Sequence, residues 1–283
     1  MYRSRFNLTG VAAFFIVLLS MPLGHAAMIL MEHWLDGGAL DLAAFLLGTV
    51  GVAFTIWGTR LSKDPAATLL GFLGGLLVWT GWIEFGYVHF AQKLNVAPVI
   101  ENGEIVTKPE YLLLMSSVGF WAVIMLFYIF KIRTGCTFFC WIQKKIGVKT
   151  DGLSAAGAGD KAMTTFMETN VLLWSCYLLL MFAYDDTILG DRHPVTIAIA
   201  VCCLIWSVWL FFRLIKIKTL GRAIRYALPV VIIFWNFVEV MGRIGLFKEI
   251  WVEPMKYKTE MIVMAVVMIT FAVTGILYKR KNK

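Results

Sequence analysis

The sequence predicts an all-α, polytopic integral membrane protein of eight transmembrane helices, arranged as two parallel four-helix repeats with both termini cytoplasmic. Three observations carry that expectation. Of the 283 residues, 60% are hydrophobic and 16% charged, with a mean hydropathy of +0.77, whereas a soluble domain is roughly half apolar and about a quarter charged. The apolar residues gather in stretches of about 20, the length that crosses a bilayer core of roughly 30 Å. The basic residues flank alternate stretches.

The first four stretches cover residues 8–31, 40–57, 68–90 and 111–130; the second four cover 163–184, 195–212, 223–240 and 261–278. The first shares features with a secretory signal peptide: Arg3 and Arg5, an apolar run, then the small pair Ala26 and Ala27. Because it continues as Met28-Ile29-Leu30-Met31, it is read as a retained span. The only in-span prolines are Pro22 and Pro229, so no span is expected to be interrupted.

With the N-terminus inside, 19 of the 26 basic residues fall on inner segments and 7 on outer ones. The acids split the other way, with Asp64, Asp151, Asp160 and Glu168 inner and 14 outer. Basic residues concentrate in short cytoplasmic loops, so both ends are predicted inside, in an inner (plasma) membrane. The same partition accounts for the net charge of +8. These cations flank spans rather than forming one patch, and no nucleic-acid partner is expected.

An internal repeat is expected from matching segments. Trp82-Ile83-Glu84-Phe85 corresponds to Phe237-Val238-Glu239-Val240, and Lys108-Pro109-Glu110-Tyr111 to Lys258-Thr259-Glu260-Met261. Met31-Glu32-His33 corresponds to Tyr184-Asp185-Asp186. Four spans per half is an even number, so the repeats should be parallel. The divisions are 1–135 for the first four-helix repeat, 136–161 for a cytoplasmic linker and 162–283 for the second repeat. The linker carries a Gly- and Ala-rich stretch over 151–160. Cys136 and Cys140 are expected on one helix face at the inner interface, and Cys176, Cys202 and Cys203 as small core residues.

Polar chemistry concentrates on the outer side, where all four histidines lie: His25, His33, His89 and His193. The leading reading is a membrane-embedded metal-binding redox protein, or a subunit of a redox complex with other membrane or periplasmic partners. Carboxylates and imidazoles suit iron, copper or zinc. Glu32, His33, Glu84, His89 and Glu110 are the ligand candidates, converging at the outer ends of one four-helix unit. Asp185, Asp186, Glu239 and Glu260 would form a second site or support the first. His25 and His89 are the candidates for a haem pair, although their depths do not match.

Two further readings compete. One is a proton-coupled transporter of a small molecule or ion, with Glu84, Glu239, Glu32 and Asp185 as titrating groups and the paired carboxylates lying between the repeats. The other is a non-catalytic membrane scaffold with an acidic outer rim, held by pairs such as Glu239 with Arg243 at i, i+4. Trp235 and other span-end tryptophans are expected in an interfacial belt, and Met21, Met28 and Met31 in the core. The chain has no phosphate-binding glycine loop, dinucleotide fingerprint, GxSxG elbow or HExxH helix.

Overall fold

In hydrocarbon no water reaches free N–H and C=O groups, so a single apolar stretch satisfies its backbone by becoming a helix. The computed structural model describes residues 8–101, 104–131, 137–148 and 160–281 and is nearly all helical. Arg3, Arg5, Cys136 and most of the Gly- and Ala-rich linker stretch lie outside the described residues. α1 (Leu8–Trp34) and α2 (Gly38–Thr59) come first. The next span is composite: α3 (Asp64–Val78), a π-helical turn (Trp79–Glu84) and α4 (Phe85–Lys93). A hairpin of β1 (Val99–Glu101) and β2 (Glu104–Thr107) pairs antiparallel. It leads into α5 (Pro109–Met115), α6 (Val118–Lys131) and the short α7 (Thr137–Lys145). α8 (Lys161–Tyr184), α9 (Pro194–Leu214), α10 (Leu220–Arg243), a 3₁₀ turn at Ile250–Val252 and α11 (Lys258–Lys281) complete the chain.

Six of these helical segments are long and apolar enough to cross a membrane, and α5 with α6 makes a seventh if the bent pair is one span. The protein is therefore a multi-pass helical membrane protein. Local chemistry sets the boundaries. Proline occupies the first turn of α3, α5 and α9, where its missing N–H costs nothing. The Asp160 carboxylate accepts from the Met163 amide at 3.0 Å, and His193 Nδ1 from the Val195 amide at 3.2 Å, capping α8 and α9.

Two interruptions depart from the uninterrupted spans expected. The α5–α6 pair bends by 54° at Ser116 and Ser117, whose hydroxyls each donate to the carbonyl three residues back at 2.6 Å. Such side-chain bonds compete with the helical ladder and bend it without proline. The π-helical turn at Trp79–Glu84 inserts one residue into its span and resets the rotation of everything after it.

α1, α3, α8 and α10 form the inner layer. α3 packs on α8 and α1 packs on α10, while α3 and α10 also meet. α2 lies against α3, α9 against α10 and α11 against α1. In α10, 72% of the most apolar stretch is buried, against 28% in α2 and in α9. The outer helices present Phe45, Phe127, Ile205 and Val263 to the surroundings, as lipid-facing helices do. Cys203 is buried but Cys202 is exposed on α9, so only one of that pair is a core residue.

Backbones approach closely where side chains vanish. A Cβ on Gly10 would stand 2.5 Å from the Leu214 carbonyl oxygen, joining α1 to the end of α9. Small residues at such crossings supply the van der Waals contact that holds helices together in lipid.

Candidate functional site

The C-terminal ends of α1, α8 and α10 enclose a cavity of about 600 Å³. Its mouth carries Glu32, Lys108, Arg243 and Glu249, with Thr107 from β2 beside them. Farther in are His25, Tyr111, Tyr177, Trp235 and Glu239, and the floor is formed by Met21, Leu173 and Ile232. Those floor residues precede their helix ends by 11 to 13 positions. At 1.5 Å per residue this puts the floor about 16–20 Å down, near the middle of a bilayer core of roughly 30 Å.

Tyr177 is the pivot of the interior. Its hydroxyl donates to Glu84 Oε1 at 3.2 Å, reaching from α8 to the end of the π-helical turn. Its ring stacks on Tyr111 at 5.8 Å and leans on Trp79 at 5.3 Å. Glu84 is 7% exposed and sits one hydrogen bond behind the cavity wall. It also interacts electrostatically with His25 on α1. Opposite, Trp235 Nε1 donates to Glu239 Oε1 at 2.6 Å. Tyr184 adds a buried hydroxyl without a hydrogen-bond partner among the described residues.

The ligand candidates read from the sequence separate into groups. Glu32 and Glu110 come together at Lys108, whose Nζ lies 3.4 and 3.8 Å from their oxygens. Both line a neighbouring cavity of about 720 Å³ with Asp36 and Asp41. His89 is elsewhere, its Nδ1 3.1 Å from Asp41 Oδ2 at a half-exposed position. His33 is exposed in the last turn of α1, and Asp186 and Glu260 are exposed as well. Asp185 accepts from the amide and hydroxyl of Thr187, at 2.8 and 2.6 Å. Those donors hold its carboxyl below the usual carboxylate range.

Among the described residues no group of three or more His, Cys, Asp or Glu is arranged to hold a metal ion. Nor do His25 and His89 share a wall: His25 faces the inner cavity and His89 lines a shallow one with Trp82 and Phe45. Arg243 bonds Asp191 at 3.3 Å and Thr107 at 2.9 Å, and acts on Glu239 through its charge rather than through a close ion pair. Arg243 also stands over the Tyr184 ring at 4.3 Å.

Trp235, expected in the interfacial belt, instead bonds a carboxylate inside the bundle. The tyrosines were not singled out in the sequence. Tyr177 and Tyr184 are seven apart on one helix, hence on one face, and Asn236 interrupts an apolar run on α10. Those spacings were the available signals. At the other end of α10, Arg225 pairs with Asp64 through two guanidinium nitrogens at 2.6 and 3.2 Å and also meets Thr68. The cavity is closed off from that end by packed core, including Phe72, Val17 and Leu228.

Glu249 gives the mouth a pH response. Burial, with the Glu239 charge adding, pushes its carboxyl up to about 7. A carboxyl raised in the fold is favourable while protonated in both states and loses stability as pH rises from about 4.5 to about 7. We expect Glu249→Gln to melt with the wild type at pH 4 and to exceed it at pH 8 by roughly 1–2 kcal/mol, a figure reduced for partial exposure. Melting in detergent across that range reads the difference; a wild-type advantage at pH 8 would reverse the assignment.

Compared with family models, curated proteins and solved structures, the chain matches none. Its class, a multi-pass helical membrane protein with a polar cavity between inner helices, rests on the fold and the site.

Proposed function

We propose that this protein is a proton-coupled transporter of a small molecule, with Glu84 and Glu239 as the paired coupling carboxylates. The observation that carries the reading is the cavity of about 600 Å³, open among the ends of α1, α8 and α10, with Glu239 on its wall and Glu84 joined to it through Tyr177. Drug-sized ligands occupy cavities of about 300–1,000 Å³, and carboxylates set between repeats are a transporter arrangement; Glu239 stands above the apolar floor, four residues from the end of α10.

The finer architecture belongs to the same proposal: eight spans with α11 as the last, both termini cytoplasmic, and repeats over 1–135 and 162–283 joined by the linker 136–161, in an inner (plasma) membrane. Helix pairing supports the repeat, because exchanging the halves maps α3 on α8 onto α10 on α1, and α2 on α3 onto α9 on α10. In this frame Glu84 and Glu239 occupy corresponding spans, the cavity opens outward, and the Arg225–Asp64 pair closes the inner end. A redox centre of iron, copper or zinc would need Glu32, Glu84, His89 and Glu110 to share one ion. Their separate attachments to Lys108, Tyr177 and Asp41 favour the transporter over it. The scaffold reading leaves the cavity without a use.

Native Cys176 lines this cavity and reports on access to it. In right-side-out vesicles an impermeant thiol reagent applied outside should label Cys176, identified by peptide mass. Gln at 239 mimics a protonated carboxyl, so at pH 8 Glu239→Gln should change the labelling rate at least fivefold, and at pH 6 the difference should narrow. Comparing proteins at one pH cancels thiol ionisation. Equal rates at both pH values would overturn coupled transport.

A further inference from the structure

We infer that the cavity takes an amphiphilic organic cation, a substituted ammonium or similar monocation carrying an apolar or aromatic body. This rests on the transporter reading and names the substrate class for it. The first argument is charge. The cations at the mouth are already engaged, Lys108 with Glu32 and Arg243 with Asp191. Among the described residues neither Glu239 nor Glu249 has a base within 4 Å, the Arg243 charge reaching both only from farther off, and Glu239's hydrogen bond comes from neutral Trp235. An ionised carboxylate out of water needs a counter-charge, and an entering monocation supplies it.

The second argument is the wall. Tyr111, Tyr177, Tyr184 and Trp235 line the same cavity as Glu239, and aromatic rings attract weakly hydrated cations within about 6 Å. The site already holds one such contact, the Arg243 guanidinium 4.3 Å from the Tyr184 ring centroid. The Tyr184 hydroxyl, buried in that wall, has no hydrogen-bond partner among the described residues. The third is the floor, where Met21, Leu173 and Ile232 offer apolar contact and no charge. A bare Ca²⁺ or Mg²⁺ requires a shell of six or more oxygens, which rings and thioethers do not provide, whereas an alkyl or aromatic body fits them.

The test uses the full chain purified in detergent and equilibrium dialysis of radiolabelled tetraphenylphosphonium at pH 8. We expect saturable binding near one per chain, displaced by benzyltrimethylammonium and not by benzenesulfonate. Glu239→Gln should weaken it at least tenfold while Glu239→Asp, which keeps the charge, stays within threefold of wild type. Melting of each variant separates lost binding from lost folding; if Glu239→Gln does not fold, displacement by the cation but not the anion on the wild type decides alone. Saturable binding of benzenesulfonate in place of the cation would overturn the ligand class and leave the Cys176 result, and coupled transport, intact. Absence of tetraphenylphosphonium binding in a folded wild type would equally overturn the ligand class. Cation binding untouched in a folded Glu239→Gln variant would move the site away from this cavity and sink the inference.

Discussion

Asp64→Asn is expected to destabilise the bundle by about 2–3 kcal/mol, read as detergent thermal unfolding. Arg225 is 7% exposed and directs two nitrogens at the Asp64 carboxylate. Thr68, wholly buried, donates to the same Oδ1 at 3.0 Å. Removing one partner of a buried pair strands the other charge and costs about 3–5 kcal/mol. The Asp64 side chain is 40% exposed, so water relieves part of that and brings the expected loss to about 2–3 kcal/mol. Asp64→Asn combined with Arg225→Leu removes the stranded charge and should recover most of the loss, leaving a coupling of at least 1 kcal/mol in the double-mutant cycle. Additive losses would mean the pair is not the feature that joins α3 to α10.

Gly51→Val should cost about 2–3 kcal/mol through overpacking. A Cβ there would lie 2.7 Å from the Gly74 carbonyl oxygen and 2.9 Å from the Val78 amide nitrogen, both backbone atoms of α3. Backbone cannot swing aside as a side-chain tip can, so α2 and α3 must separate and lose contact along the crossing. Val50→Leu is the control: Val50 is 44% exposed on the same helix, and enlarging it toward lipid should shift melting little. The comparison reads helix packing directly. If both variants melt alike, α2 does not rest on α3 as described.

The helices were legible in the sequence because crossing lipid leaves a long, unavoidable mark. The predicted stretch 163–184 corresponds to Lys161–Tyr184, and 195–212 to Pro194–Leu214. The bend at Ser116 and Ser117 was not legible, since it comes from side-chain bonds that serines make in unbroken helices as well. The π-helical turn left no mark either, because one inserted residue changes no composition and Trp79-Thr80-Gly81-Trp82-Ile83-Glu84 carries no proline.

The candidate site was half legible. Glu84, Glu239, Glu32 and Glu110 stood out because acids are costly in apolar segments. Their grouping did not, because helices in lipid are apolar on all sides, and hydropathy does not say which face meets a neighbour and which meets lipid. Tyr177 reaching Glu84 from 93 residues away and Arg225 reaching Asp64 from 161 away depend on which helices are adjacent and how each is rotated. By itself the sequence determined that the chain enters the membrane and which residues are charged within it, since transfer energy is a property of composition. Only the tertiary structure decided that Glu32 and Glu110 meet at Lys108, that Glu84 meets Tyr177 and that His89 meets Asp41, since that follows from close packing between elements remote in the chain.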